Sequence, residues 1–423
     1  MIWGRREHLQ GEGEAMAFKR GLIAAVLLAA TPLAVQAQEN MPRWSASDLA
    51  TLQRWVDAAP LDALPPVRTN GLERAMSEGD AERIDAEATK LALGLARMHL
   101  LGSANQSARA GWNIADRDRD LPLEAMLQRA VAEDSLDTFF ALMRPTHRQY
   151  SALRAAYQSE ADKTRRTAIA RNMERWRWMP RSLGSDYVLV NAPQFEAGLW
   201  RGGEKAKTWR VIVGKRSTPT PVFQATIEGV ILNPWWEIPA SIVRESVGAL
   251  VRRNPSLARS RGYVWANGKY RQRPGPTNAL GQMKLVMPNP FSVYMHDTPN
   301  KKLFEEEVRA FSHGCIRTGD AMDYAATLLE GVKTREEVDT IVASLQTTQI
   351  SIAKPIPVYV AYFTAVGNEA GQVVILDDIY GRDKRIPVAL ADPGNSLDRQ
   401  AGTASPAIRQ LSAASTSGDF PEC

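Results

Sequence analysis

The spacing of the apolar residues changes once along this chain, at Pro180, and the change divides what the two halves can form. Before it, apolar residues recur at three and four, as on one face of a helix. Ile84, Ala88, Leu91, Leu95 and Met98 make one stripe, with Gly102 where that helix should stop. Leu123, Met126, Leu127, Ala130 and Val131 make a second behind Pro122, and Leu136, Phe139, Phe140 and Met143 a third that ends at Pro145. Tyr150, Leu153 and Tyr157, then Ile169, Met173 and Trp176, predict one long helix leading out of this region. After Pro180 the runs are short, β-branched and aromatic: Tyr187-Val188-Leu189-Val190, Trp209-Arg210-Val211-Ile212-Val213 and Ile227-Glu228-Gly229-Val230-Ile231-Leu232. Gly202-Gly203 and Thr218-Pro219-Thr220-Pro221 supply turns between them. A strand at 356–362 is expected to pair with one at 372–376, and helices interrupt the strands near 240–252 and 320–331. The expected class is α+β: a helical support domain over 38–178, then a β-rich domain over 179–392.

The ends read differently. Lys19-Arg20, the apolar run Leu22–Ala30 and Val35-Gln36-Ala37 form a secretory signal cleaved after Ala37, whether translation starts at Met1 or Met16. The run is too short to span a bilayer, which takes about 20 apolar residues, so no stable membrane span is expected after cleavage. Residues 393–423, rich in Ser, Ala, Gly and Pro, read as a disordered tail. The net charge of +5 over 423 residues suits an acidic polymer or surface. No nucleic-acid-binding motif accompanies it.

An exported chain with only two cysteines, Cys315 and Cys423, has no disulfide framework. Its interior cysteine is a candidate nucleophile, and a bond between the two would block it. Upstream, Phe291-Ser292-Val293-Tyr294-Met295-His296 alternates as a strand that turns Ser292, Tyr294 and His296 to one face. Cys315 follows Ser312-His313-Gly314, in a turn before a helix that Asp320 can cap. Backbone N–H groups at such a turn favour thiolate, and a neighbouring imidazole removes the proton of a thiol whose ordinary pKa is about 8.5. Attack on an amide builds an oxyanion, for which the backbone N–H groups of Gly314 and Cys315 and the hydroxyl of Tyr294 are candidate donors. Both His296 and His313 lie within reach as base by spacing alone. Arg317 is placed to meet a substrate carboxylate, or else Asp320 or Glu307. His296, His313 and Cys315 would be three ligands of a zinc site, but nothing nearby supplies a fourth, and neither metal nor cofactor is expected.

His296, followed 16 residues later by Ser312-His313-Gly314-Cys315, resembles the L,D-transpeptidase family, whose catalytic domain is the YkuD type. Asn233-Pro234-Trp235-Trp236-Glu237, Arg271–Gly281, Asp378–Asp383 and Asn172–Pro180 resemble its larger, YcbB-like subgroup. The resemblance implies a β-sandwich-like catalytic domain with Cys315 as nucleophile, His296 as base, Asp297 as the residue that orients it, and Ser312 and His313 shaping the loop. It implies peptidoglycan stem peptides as substrates, met in the periplasm: Cys315 acylated by a donor tetrapeptide with loss of D-Ala, then resolved by a diaminopimelate side-chain amine as a 3→3 cross-link. Carbapenems would be expected to acylate Cys315. Water in place of the amine would make a carboxypeptidase, and a degenerate site would leave a wall-binding scaffold. Where the common family motif has Asn two residues after the cysteine, this chain has Arg317, as similar Gram-negative members do. There is room for only one helix between Pro145 and Arg175, where a glycan-binding module would stand. Substrate capture then falls to the cleft, with Trp235 among its platforms and the arginines of 243–280 as a basic lid.

Overall fold

The computed structural model describes residues 42–368 and 371–388. The signal segment and the tail expected at the two ends lie outside them. Seven helices open the described chain: α1 (Ala46–Ala58), α2 (Asn70–Glu78), α3 (Ala81–Leu101), α4 (Leu123–Ala132), α5 (Leu136–Met143), α6 (Arg148–Ser159) and α7 (Lys163–Trp176). Their starts follow the capping residues. Ser45 and Asp48 close a reciprocal capping box on α1, and Asp80 accepts from the Arg83 amide at the head of α3. The long helix expected across 150–176 is two helices. Glu160 turns extended, and Asp162 restarts the chain by accepting from the Arg165 amide.

Two cores divide this region. Residues from Trp44 to Met143 pack among themselves around Leu52, Leu95, Leu127 and Phe140. Helices α6 and α7 instead insert Tyr150, Leu153, Tyr157, Ile169 and Met173 into the core of the β-rich domain. In packing, then, α6 and α7 go with the β-rich domain, whose core also takes in Ala63 and Ile114. Between the two cores runs a buried polar network. Asp62, fully buried, accepts from Arg144 at 2.6 Å and from Arg154 at 2.5 Å. Arg177 donates to the Asp62 carbonyl, to the Tyr150 hydroxyl at 2.9 Å and to Glu174 at 3.2 Å. Burial pushes the Asp62 carboxyl up, but Arg144 and Arg154 are among the neighbours that hold it below the usual carboxylate range.

The β-rich domain is one ten-stranded sheet with two small satellites. Its strands are β1 (Trp112–Asn113), β2 (Tyr187–Asn191), β3 (Glu196–Arg201), β4 (Glu204–Gly214), β5 (Val222–Leu232), β9 (Met283–Val286), β10 (Met295–His296), β11 (Ala310–Ser312), β12 (Ile316–Thr318) and β13 (Thr348–Ala361). They run in the order β1-β5-β13-β2-β3-β4-β12-β10-β9, with β11 on β4, and β9 pairs back onto β5. The path therefore closes on itself and leaves few unpaired edges. Residues 373–375 do not join the strand at 356–362 as expected. They pair with 365–367 in a separate hairpin, while β13 lies between β5 and β2.

The second satellite is β6 (Trp236–Glu237), β8 (Lys269–Gln272) and β7 (Tyr263–Ala266), in that order. With the helical run 240–260 it has its own small core of Trp236, Ile238, Val247 and Leu280, against which Tyr294 packs. Arg252, Arg253, Arg259 and Arg261 of this segment are all solvent-exposed. Trp200 and Trp209 belong to the main core, whereas Trp265 is 63% exposed. No helix among the described residues is long and apolar enough to cross a membrane.

Candidate active site

Strand β10 is only two residues long, because Ser292 adopts a left-handed conformation (φ +52°) that breaks the alternation expected from Phe291 onward. β10 nevertheless sits at the centre of the site. It pairs parallel with β12, Met295 with Ile316 and His296 with Arg317, and antiparallel with β9, His296 with Lys284. Met295 and Ile316 point into the core. His296 and Arg317 therefore share the opposite face. Extending the same register sets Cys315 beside Tyr294, and the Tyr294 amide lies 3.3 Å from the Cys315 sulfur. The Tyr294 and His296 rings meet edge to face at 5.7 Å.

Cys315 does not lie in a turn that leads straight into a helix. It sits between β11 and β12, and the next helix starts at Ala321, behind an Asp320 in the left-handed region whose side chain makes no cap bond. The helix-terminus support expected for a thiolate is thus absent from this turn. The loop is held by hydroxyls instead. Ser312 Oγ donates to the Cys315 carbonyl at 2.5 Å and accepts from the Gly314 amide at 3.1 Å, while Thr220 Oγ1 donates to the Gly314 carbonyl at 2.8 Å. Gly314 has φ +124°, which only glycine adopts without strain. Its amide, expected to face an oxyanion, is directed at Ser312. Cys315, expected from the sequence as the nucleophile, is 2% exposed. The chain's other cysteine, Cys423, lies outside the described residues.

The two histidines that spacing left level are separated by geometry. His313 Nε2 is 2.9 Å from Glu245 and 3.3 Å from Lys215, so its ring is engaged with the 243–247 turn of the small satellite. His296 is buried, and its Nδ1 meets the carbonyl of Asp297. The Leu280 carbonyl also bonds the ring, so the imidazole is held between two backbone acceptors. Asp297 thus orients the imidazole through its backbone. Its carboxylate does another task, accepting from the Gln282 amide at 2.9 Å and pairing with Lys301. Gly281 faces that carboxylate with φ +61°, where a Cβ would collide with it. Burial first, then Arg317 and Lys284, lowers the His296 pKa to about 3, so the ring is neutral at physiological pH.

Trp235 and Tyr294 line a cavity of about 460 Å³ beside this row, together with Lys284, Ser292 and Asn289. Arg271 stacks over Trp235 at 4.6 Å. Lys284 was not singled out by the sequence, although its position between two buried residues, Met283 and Leu285, marks it as facing away from the core. Arg317 forms an ion pair with neither Asp320 nor Glu307. Among the described residues no group of three His, Cys, Asp or Glu side chains gathers to hold a metal.

Comparison with known proteins matches residues 185–342 to YkuD, the L,D-transpeptidase catalytic domain, and residues 36–156 to a scaffold domain. A Haemophilus influenzae protein named as an L,D-transpeptidase is 32% identical over 242 residues, covering 52% of this chain and 49% of its own length. The chain thus spans about half the length of that curated relative. Among solved structures, an L,D-transpeptidase from Mycobacterium smegmatis is 14% identical over 42% of this chain and 58% of its own, at TM-score 0.24. L,D-transpeptidase 3 from Mycobacterium tuberculosis is 16% identical over 42% and 61%, at TM-score 0.23. Likenesses of that degree carry no structural argument. The sequence match does: residues 185–342 form an L,D-transpeptidase catalytic domain of the YkuD type, and residues 36–156, ahead of it, match a scaffold domain.

Proposed function

We propose that this protein is a periplasmic peptidoglycan L,D-transpeptidase whose nucleophile is the thiol of Cys315 and whose base is His296. The observation that carries the reading is the parallel register of β10 and β12, which brings the sulfur beside the Tyr294 amide, one step along the sheet from a neutral imidazole. In the first half-reaction the His296 imidazole takes the thiol proton and the sulfur attacks the carbonyl on the L-centre of diaminopimelate in a donor tetrapeptide. The oxyanion is met by the Cys315 amide and the Tyr294 hydroxyl, and by the Gly314 amide once it leaves Ser312. The C–N bond to D-Ala breaks, the leaving amine takes the proton back from His296, and a thioester remains. In the second half-reaction the side-chain amine of an acceptor stem attacks that thioester and gives its proton to the base. The C–S bond breaks and a 3→3 amide is formed. No step calls for a cofactor. Ser312 fixes the loop, and Trp235 gives an apolar wall to the peptide.

The test is a product assay on reduced protein from Gln38 onward, beside its Cys315→Ala variant, with disaccharide-tetrapeptide as donor and acceptor. Dimers linked 3→3 with loss of D-Ala, absent from the variant, are the expected outcome. Tripeptide alone would move the reading to a carboxypeptidase. No turnover and no acyl-enzyme with any stem peptide or carbapenem would leave a wall-binding scaffold.

A further inference from the structure

Lys284, His296 and Arg317 are register neighbours on three adjacent strands, β9, β10 and β12. Directly opposed residues on paired strands share a face. That face is the one away from the core, because the flanking Met283, Leu285, Met295 and Ile316 are all buried within it. The base is therefore bracketed by two cations. Lys284 Nζ lies 3.8 Å from the centre of the Tyr294 ring and faces the 460 Å³ cavity. Burial depresses both the Lys284 ammonium and the Arg317 guanidinium. Neither has a carboxylate partner among the described residues. Glu237, the acidic group that acts on Lys284 at longer range, pairs instead with Lys269 and Arg271 at 3.7 Å. A shielded cation without a counter-ion is costly, and two of them beside one base are short of an anion.

We propose that Lys284 and Arg317 form a carboxylate clamp that seats a free acid group of the donor peptide alongside His296, and so selects acidic stems over amidated ones. This rests on the transpeptidase reading for the identity of the peptide, but not for the existence of an anion site. It also supplies what the base lacks. When His296 takes the proton of Cys315, the imidazolium that forms meets two like charges, and a carboxylate seated between them offsets that repulsion. Lys284 is a binding residue in this account, and its stacking on Tyr294 places the ammonium at the cavity wall.

Binding separates the clamp from the chemistry. The full chain carrying Cys315→Ala is titrated calorimetrically with a free-acid tetrapeptide stem and with three analogues, each amidated at one carboxylate: the diaminopimelate side chain, the D-Glu α-carboxyl or the terminal D-Ala. Each titration is repeated with Lys284→Met or Arg317→Met added. The expected result is a loss of about tenfold to a hundredfold in affinity for one amidated analogue. The same loss should appear for the free acid in each variant, with no further loss when analogue and variant are combined. The analogue that shows this identifies the carboxylate. Equal weakening of all four peptides in the variants, or no weakening, would overturn the clamp, with melting curves of the variants confirming that they are folded. If the free acid binds as expected but Cys315 in the reduced parent is never acylated, the clamp stands and the transpeptidase reading falls.

Discussion

Arg175 and Arg177, where the helices meet the sheet, and Arg317 and Lys284, beside His296, are all shielded cations of one domain, yet their surroundings are opposite. Arg177 is fully buried and bonded to Glu174, Tyr150 and the Asp62 carbonyl, and Arg175 pairs with Asp383 at 2.7 Å. Arg317 and Lys284 have the same shielding in kind and no carboxylate partner among the described residues. At the junction the fold supplies the counter-ions, so charge there serves cohesion. At the cleft it leaves them out, so the missing charge is one a ligand can bring. The contrast separates a structural cation from a recognition cation by its partners rather than by its burial.

The comparison can be broken at several points. Replacing Asp62 with Asn leaves Arg144 and Arg154 without their shared carboxylate and should cost about 3–5 kcal/mol in urea unfolding. A loss under 1 kcal/mol would mean that the junction charges do not hold the two cores together. Acid should destabilise the molecule next most strongly. Burial lowers the pKa of His99 to about 3, of His147 to about 4 and of His296 to about 3. The unfolded chain, with imidazoles near 6.5, therefore binds more protons than the folded one below that value. Stability is full above about pH 6.5 and falls as the pH drops toward 4, so the melting temperature should decline across that window. His99 packs edge-on to Trp55 with neither ring nitrogen hydrogen-bonded in the structure, and His99→Leu should flatten part of this decline at no cost at pH 7.

At the cleft the expected effects on stability are small. Arg317→Met and Lys284→Met should each change unfolding free energy by less than about 1 kcal/mol, because no ion pair is lost, in contrast to Asp62→Asn. A loss as large as that at Asp62 would show that the pair is structural. Smallest is the exposed contact between His313 and Glu245 at 2.9 Å, which ties the nucleophile loop to the small satellite. Glu245→Gln should cost under about 1 kcal/mol in melting experiments.

Much of this was legible in the sequence, and the exceptions share a cause. The switch of apolar period at Pro180 marks where helices give way to strands, and the run from Ser312 to Cys315 with His296 upstream points to the family. Local signals mislead where long-range pairing decides. Cys315 reads as a residue before a helix, because nothing nearby reveals that 316–318 is a strand between β4 and β10. The closure of the sheet through β5 and β9 joins segments some fifty residues apart and leaves no mark in either. Lys284 shows only as one charge between two buried residues, and gains meaning when β9 is laid against β10. The break between α6 and α7 was readable: Asp162 is a capping residue three before Arg165, a local signal that the apolar stripe on both sides obscures.

The account rests most directly on which atom becomes acylated and what assists it. Reduced protein, with His296→Ala and Cys315→Ala variants, is mixed at neutral pH with a tetrapeptide donor, quenched over time and weighed intact, and the adduct is mapped by peptide fragmentation. The account predicts an adduct equal to the donor less D-Ala, located on Cys315, absent in Cys315→Ala and formed about 10²–10⁴ times more slowly in His296→Ala. An adduct on another residue, or one that forms as fast without His296, would contradict it.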